Sequence, residues 1–148
     1  MSSSSTNQPL ATSIECVLFD LDGTLIDTAP DFVNVVNKLL KENGKNAISQ
    51  QAIHETVSDG ARALVKLAFQ IEIEHESFSG LHQRLLELYD EELDHTKATL
   101  YPGISGLLEE LGRTGVRWGI VTNKPEKYTL KLLHNLNLLP RCKCVICP

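Results

Sequence analysis

The chain has 148 residues, enough for one core domain with a small appended domain. Its composition, 42% hydrophobic and 22% charged, is typical of a globular protein that folds in water. The formal net charge of -5 argues against nucleic acid or an anionic membrane surface as the main partner.

Residues 1–14 are polar and serine-rich and are predicted to form a disordered tail. They lack the basic and apolar regions of a secretory signal. No other segment approaches the roughly 20 apolar residues that span a membrane. The sequence therefore predicts a cytoplasmic protein.

The first predicted element is a buried strand over residues 15–20, where a short apolar run ends in Asp20. A second acid, Asp22, follows two residues later, and then come Gly23 and Thr24. Two carboxylates beside a glycine turn at the end of a strand suit magnesium-assisted phosphoryl transfer. Gly23 would let the backbone approach a phosphate closely, and Thr24 is a candidate phosphate-binding residue.

An all-helical block is predicted after this strand, over residues 29–98. Its first helix is expected to begin near Thr28, with Asp27 and Thr28 as capping residues and Pro30 in the first turn. Further helices are predicted over 49–57, 60–70 and 77–94.

Within this block, Gly60 opens a helix whose N-terminal amides favour anions, and Arg62 lies in its first turn. An arginine there could hold a substrate carboxylate with two hydrogen bonds, or it could be an exposed side chain beside a helix cap.

After a turn at 100–103 the sequence predicts a helix around Leu107–Leu111, a buried strand over 116–121, a helix over 125–136 and a third strand over 143–147. Trp118 of the second strand is expected in the core. Residues 15–28 and 99–148 would then form a partial α/β core, a Rossmann-like parallel sheet of about three strands, with residues 29–98 inserted as a helical cap.

Ligands of such sheets bind beyond the carboxyl ends of the strands, where Asp20 and Thr122 both fall. Thr122 and Asn123 are therefore candidates for holding phosphoryl oxygens. Lys124 could lend positive charge to the phosphate, or it could be a solvated lysine at a helix start.

Three of the four cysteines, Cys142, Cys144 and Cys147, cluster near the C-terminus. Clustered cysteines can bind zinc, but this single cluster offers too few ligands for a closed tetrahedral zinc site. A short apolar strand is the preferred interpretation.

The stretch Cys16–Thr28, CVLFDLDGTLIDT, resembles the first motif of the haloacid dehalogenase superfamily, and VRWGIVTNKP resembles its second. The resemblance implies that Asp20 is a nucleophile that forms an aspartyl-phosphate. Asp22 would act as general acid and base, and Asp20 and Asp22 would both be ligands of Mg²⁺. The second aspartate's carbonyl oxygen also binds the metal in that family.

In detail the chain resembles the phosphoglycolate phosphatase branch, and SDGARALV, WGIVTNKP and VICP also resemble bacterial N-acetylmuramic acid 6-phosphate phosphatases. Both implied substrates are small metabolites that carry a carboxylate as well as a phosphate, so Arg62 would suit either.

The family's later lysine and acidic motifs normally follow the third strand, where this sequence stops. We therefore expect a C-terminally truncated chain with an exposed apolar sheet edge. A catalytically inactive remnant is one alternative function. A signalling receiver domain is another, but receivers carry their phosphorylated Asp on a later strand and have no helical insert.

Overall fold

The computed structural model describes residues 13–148, so the predicted tail lies outside the described residues except at positions 13 and 14. The elements follow the predicted order with small shifts in their ends. They are β1 (Cys16–Phe19), β2 (Ile26–Asp27), α1 (Ala29–Glu42), α2 (Gln50–Thr56), α3 (Ala61–Phe69), α4 (Phe78–Leu93), β3 (Thr99–Leu100), α5 (Ile104–Arg113), β4 (Arg117–Val121), α6 (Glu126–Asn135) and β5 (Val145–Ile146).

The main sheet is parallel and has the order β1–β4–β5, which confirms the predicted α/β class. Phe19 lies beside Ile120, and Ile120 lies beside Val145. The central strand β4 is the best buried, because it has a neighbour on each side; Trp118 is only 3% exposed, as expected for a core residue.

The prediction that the first strand is buried is wrong. Strand β1 pairs with β4 alone, and its residues alternate between exposed and half-buried. Val17 and Phe19 pack against the core, while Leu18 is 55% exposed. Val121 of β4 and Ile146 of β5 are also exposed apolar side chains. The expectation of an exposed apolar sheet edge stays a prediction. Apolar residues alone do not show which face of a strand is covered.

Helices α1 to α4 lie between β2 and β3 without an intervening strand. Their apolar faces pack together, with α1 against α4 as the largest contact, and Phe32 of α1 stacks on Tyr89 of α4. The assignment of 29–98 as a separate cap domain stays a prediction.

The two segments that flank this helical block form a short antiparallel pair that the sequence analysis missed. Ile26 pairs with Leu100, and Asp27 pairs with Thr99. Two-residue strands are too short to produce a recognisable alternation of polar and apolar residues. The pairing brings the two ends of the block together beside the loop that follows β1.

The capping of α1 confirms the prediction for Asp27 but not for the side chain of Thr28. Thr28 is the N-cap residue, but its side chain makes no capping hydrogen bond. Asp27 accepts a hydrogen bond from the backbone N–H of Ala29 instead, at 3.1 Å. Among residues 13–148 no helix combines the length and apolar character needed to cross a bilayer.

Candidate active site

A cavity of about 310 Å³ lies where β1 and β4 end, beneath the N-terminus of α3. Six of the predicted site residues line it, so the two motif segments do converge on one place. The lining comprises Asp20, Asp22, Phe32, Val57, Ser58, Asp59, Gly60, Ala61, Leu86, Tyr89, Thr122, Asn123, Lys124, Pro125 and Tyr128. Gly23, Thr24 and Arg62 of the predicted set do not line it.

Asp20 immediately follows β1 and is exposed. Its carboxylate accepts one long hydrogen bond, from the Thr24 hydroxyl at 3.3 Å. Within the described chain no cation is paired with it. An exposed carboxylate with one weak partner keeps its oxygens free to approach a ligand.

Asp22 is held much more firmly. Its Oδ1 atom accepts hydrogen bonds from the Thr28 hydroxyl and from the Lys124 ammonium group, each at 2.8 Å. Its side chain is 16% exposed and that of Lys124 is 6% exposed, so the ion pair is largely removed from water. This contact also explains why Thr28 does not cap α1 with its hydroxyl.

Gly23 allows a close approach between two parts of the chain that the sequence did not indicate. Its φ angle is +78°, a conformation that other residues rarely adopt. A Cβ atom at this position would lie 2.0 Å from the Oγ atom of Ser58. The glycine therefore lets the turn before α3 approach the loop that follows β1. Thr24 of this loop contacts Asp20.

Thr122 is buried at the end of β4. Its hydroxyl oxygen accepts a hydrogen bond from the backbone N–H of Lys124 at 3.1 Å, and its own N–H donates to Ile146 at 3.0 Å. The Thr122 N–H is thus committed to the sheet, while the hydroxyl hydrogen remains for a ligand. Asn123 is exposed and lines the cavity.

Lys124 is not the solvated lysine that was one of its two interpretations. Besides pairing with Asp22, its ammonium nitrogen lies 5.1 Å from the ring centroid of Phe32 and 4.4 Å from that of Tyr89. Both rings belong to the helical block, on α1 and α4. Sequence reasoning missed Phe32 and Tyr89 as site residues because their helical spacing looks like ordinary core.

Tyr89 has the one buried side-chain oxygen or nitrogen without a hydrogen-bond partner among the described residues. Burial raises the pKa of Tyr89 well above its usual value of 10, and the negative charges of Asp22 and Asp31 raise it further. The phenol therefore stays protonated, and its ring is available to the Lys124 cation.

Gly60 and Arg62 were predicted together, but the structure separates them. Gly60 lines the cavity with a φ of +89° and precedes α3, so the free N–H groups of that helix begin at the cavity. Arg62 is exposed and outside the lining. The positive charge of Arg62 acts on His82: burial lowers the pKa of His82 most, and the charge of Arg62 lowers it further.

The acid pair provides carboxylate oxygens, the ligand type that Mg²⁺ prefers. No group of three or more His, Cys, Asp or Glu side chains in residues 13–148 is arranged to hold a metal. Protein sites for Mg²⁺ usually provide one or two carboxylates and leave the other positions to water and substrate phosphate. The donor set of Asp20 and Asp22 fits that pattern better than a zinc site.

A second depression, of about 400 Å³, lies at the opposite end of β4. It includes Arg117, Arg141 and Lys143 but none of the predicted site residues. This depression is larger, but the predicted nucleophile and phosphate-binding residues lie in the cavity that contains the acid pair.

The chain is similar to known proteins over most of its length. The sequence profile of the haloacid dehalogenase-like hydrolases matches residues 17–148. An N-acetylmuramic acid 6-phosphate phosphatase of Pseudomonas putida is 38% identical over 136 residues, covering 91% of this chain and 60% of that protein. A phosphoglycolate phosphatase of Xanthomonas campestris is 40% identical over 130 residues, covering 88% and 58%.

Solved structures show the same fold. One is the crystal structure of a predicted phosphoglycolate phosphatase from Haemophilus somnus. It superposes with a TM-score of 0.78 at 26% identity and covers 93% of this chain and 64% of that one. A haloacid dehalogenase-like protein of Streptococcus pneumoniae gives 0.77 at 25% identity, covering 93% and 62%. The chain spans about 60% of the length of the curated relatives it matches.

Proposed function

The chain belongs to the haloacid dehalogenase-like hydrolase family, and we propose that its site hydrolyses a small phosphomonoester through an aspartyl-phosphate on Asp20. The observation that carries the proposal is the shared cavity: Asp20 and Asp22 from the first loop face Thr122 and Asn123 from the second. Neither segment alone would provide a nucleophile, a proton donor and phosphate contacts.

In the first step a carboxylate oxygen of Asp20 attacks phosphorus, forming an oxygen–phosphorus bond as the bond to the leaving oxygen breaks. Asp22 starts this step protonated and gives that proton to the departing oxygen. In the second step a water molecule attacks the same phosphorus while Asp22 takes its proton; the bond between Asp20 and phosphorus breaks, and inorganic phosphate leaves. The exposed Asp20 suits the first role, and the anchored Asp22 suits the second.

Phosphoryl oxygens would be held by the Thr122 hydroxyl and by Asn123, with the N-terminus of α3 closing the cavity from above. The carboxylate of Asp20, with the backbone carbonyl of Asp22 that the family resemblance implies, would hold Mg²⁺. When bound, this cation reduces the repulsion between an anionic nucleophile and an anionic substrate.

We propose a phosphoglycolate-type substrate, and N-acetylmuramic acid 6-phosphate as the alternative, because relatives with these two names match the chain at 40% and 38% identity. Both are small phosphorylated metabolites. We also propose a cytoplasmic location, where such metabolites occur.

The test is phosphate release by the purified chain from phosphoglycolate, N-acetylmuramic acid 6-phosphate and p-nitrophenyl phosphate. We expect Mg²⁺-dependent release that EDTA abolishes and added Mg²⁺ restores. Asp20→Asn should remove turnover while the circular dichroism spectrum stays unchanged. Asp94→Asn, an exposed carboxylate at the end of α4, serves as the matched control.

A beryllium fluoride adduct, located by mass spectrometry or ¹⁹F NMR, should depend on Asp20. An adduct that persists in Asp20→Asn would contradict the nucleophile assignment. Absence of both turnover and adduct in the unmodified chain would favour the inactive remnant.

A further inference from the structure

We propose that Lys124 is a positioning residue that fixes the carboxylate of Asp22, and that Phe32 and Tyr89 of the helical block hold Lys124 in place. This inference rests on the proposed function, because it concerns the group assigned to proton transfer. It replaces the sequence-based interpretation of Lys124 as a phosphate ligand.

The backbone of Lys124 is fixed from both sides. Its N–H donates to the Thr122 hydroxyl oxygen at 3.1 Å, and its carbonyl oxygen accepts from the Thr129 hydroxyl at 3.1 Å. Both threonines are buried. The side chain therefore starts from a rigid point at the end of β4, and its direction is set by packing rather than by solvent.

The ammonium group has an aromatic environment. Phe32 and Tyr89 stack with their centroids 4.3 Å apart and their planes 14° apart, and the nitrogen lies within about 5 Å of both centroids. Cation–π contacts strengthen when water is excluded, and only 6% of the Lys124 side chain is exposed. The two rings thus offset part of the cost of removing the charge from water.

The remaining charge compensation comes from Asp22, the one ion-pair partner of Lys124 among the described residues. A buried ammonium group is costly without such a partner. The pair therefore stabilises the arrangement in which Lys124 points at Asp22 rather than at a phosphate.

The two oxygens of Asp22 are then inequivalent. Oδ1 accepts from both Lys124 and Thr28, whereas Oδ2 has no hydrogen-bond partner within the described chain. An anchored Oδ1 fixes the orientation of the carboxyl group and leaves Oδ2 as the atom that gives and takes the proton. Effective proton transfer depends on such positioning.

The test measures kcat and KM for p-nitrophenyl phosphate, together with the inhibition constant of inorganic phosphate. Lys124→Met should lower kcat about tenfold or more, because a mobile Asp22 loses part of the benefit of general acid catalysis. KM and the phosphate inhibition constant should stay within about twofold. Tyr89→Leu should lower kcat in the same direction by about two- to tenfold, and Tyr89→Phe, which keeps the ring, by less.

Lys127→Met is the matched control, since Lys127 lies three residues further on, is exposed and pairs with Asp90 outside the cavity. Its kinetic constants should equal those of the unmodified chain. A raised KM or phosphate inhibition constant in Lys124→Met with kcat unchanged would show that Lys124 binds phosphate, and the inference would be wrong.

If the unmodified chain has no turnover, the proposed function fails first, and the positioning contact is judged by stability alone. A double-mutant cycle with Asp22→Asn and Lys124→Met should then give clearly non-additive changes in the free energy of unfolding. Additive changes would show that the two side chains are not coupled, which overturns the inference independently of catalysis.

Discussion

Replacement of Gly23 by alanine tests how closely the helical block approaches the loop that follows β1. Two costs are combined at this position. The φ angle of +78° is strained for any residue with a Cβ, and the added Cβ would lie 2.0 Å from the Oγ atom of Ser58. Gly44, with a φ of +68° and no atom within 4 Å of its added Cβ, carries the first cost without the second.

The expected magnitudes follow from these distances. The left-handed conformation costs an alanine about 1–2 kcal/mol, and loss of freedom in the unfolded chain returns about 0.4–1 kcal/mol. Gly44→Ala should therefore reduce the free energy of unfolding by about 1 kcal/mol. Overpacking adds about 1–3 kcal/mol, so Gly23→Ala should cost about 2–4 kcal/mol.

Urea denaturation followed by circular dichroism measures the free energy of unfolding of both variants. In thermal denaturation of a protein of this size each kcal/mol shifts Tm by about 2–4 °C, so the Tm values of the two variants should differ by several degrees. Adding Ser58→Ala to Gly23→Ala should recover part of the loss, although the Ser58 Cβ remains 3.3 Å from the added atom. Equal destabilisation by Gly23→Ala and Gly44→Ala would refute the close approach.

Two further predictions concern groups outside the acid pair. Arg62 does not line the cavity, so Arg62→Ala should reduce activity on phosphomonoesters with and without a carboxylate equally or not at all. A selective loss of activity on phosphoglycolate in a substrate panel would contradict this. Burial raises the pKa of Asp31 above its usual 3.8, despite hydrogen bonds from Thr96 and Lys97, so the folded state retains this proton to higher pH than the unfolded state. Its contribution to stability should therefore fall as pH rises above about 3.8, and urea midpoints measured against pH should show a shallower fall in Asp31→Asn; an unchanged slope would contradict the assignment.

The convergence of Asp20 and Thr122 could be predicted from the sequence because it depends only on topology. Each residue follows an apolar run, and the carboxyl ends of parallel strands meet at one edge of a sheet. The helices of the inserted block were predictable for a similar reason, since α1 and α4 bury residues at regular helical spacing. These are repeating patterns that a single sequence displays.

The contacts that complete the site are not repeating patterns. Phe32 and Tyr89 lie at core positions of their helices, and nothing in their spacing indicates that a lysine far along the chain will meet their rings. The exposure of Leu18 depends on what covers the sheet, which the residues of β1 do not encode. Arg62 was placed in the site because of its charge, but its position on α3 turns it toward solvent.

Helix α1 connects these contacts. Its N-cap residue Thr28 donates its hydroxyl hydrogen to Asp22, and Asp27 takes over the capping of the helix by accepting from Ala29. One turn further, Phe32 lies beneath the Lys124 ammonium that binds the same Asp22 oxygen. A small displacement of α1 would therefore change both partners of that oxygen together. The helical block is thus expected to influence proton transfer as well as to cover the cavity, even though no side chain of α1 takes part in the proposed chemistry.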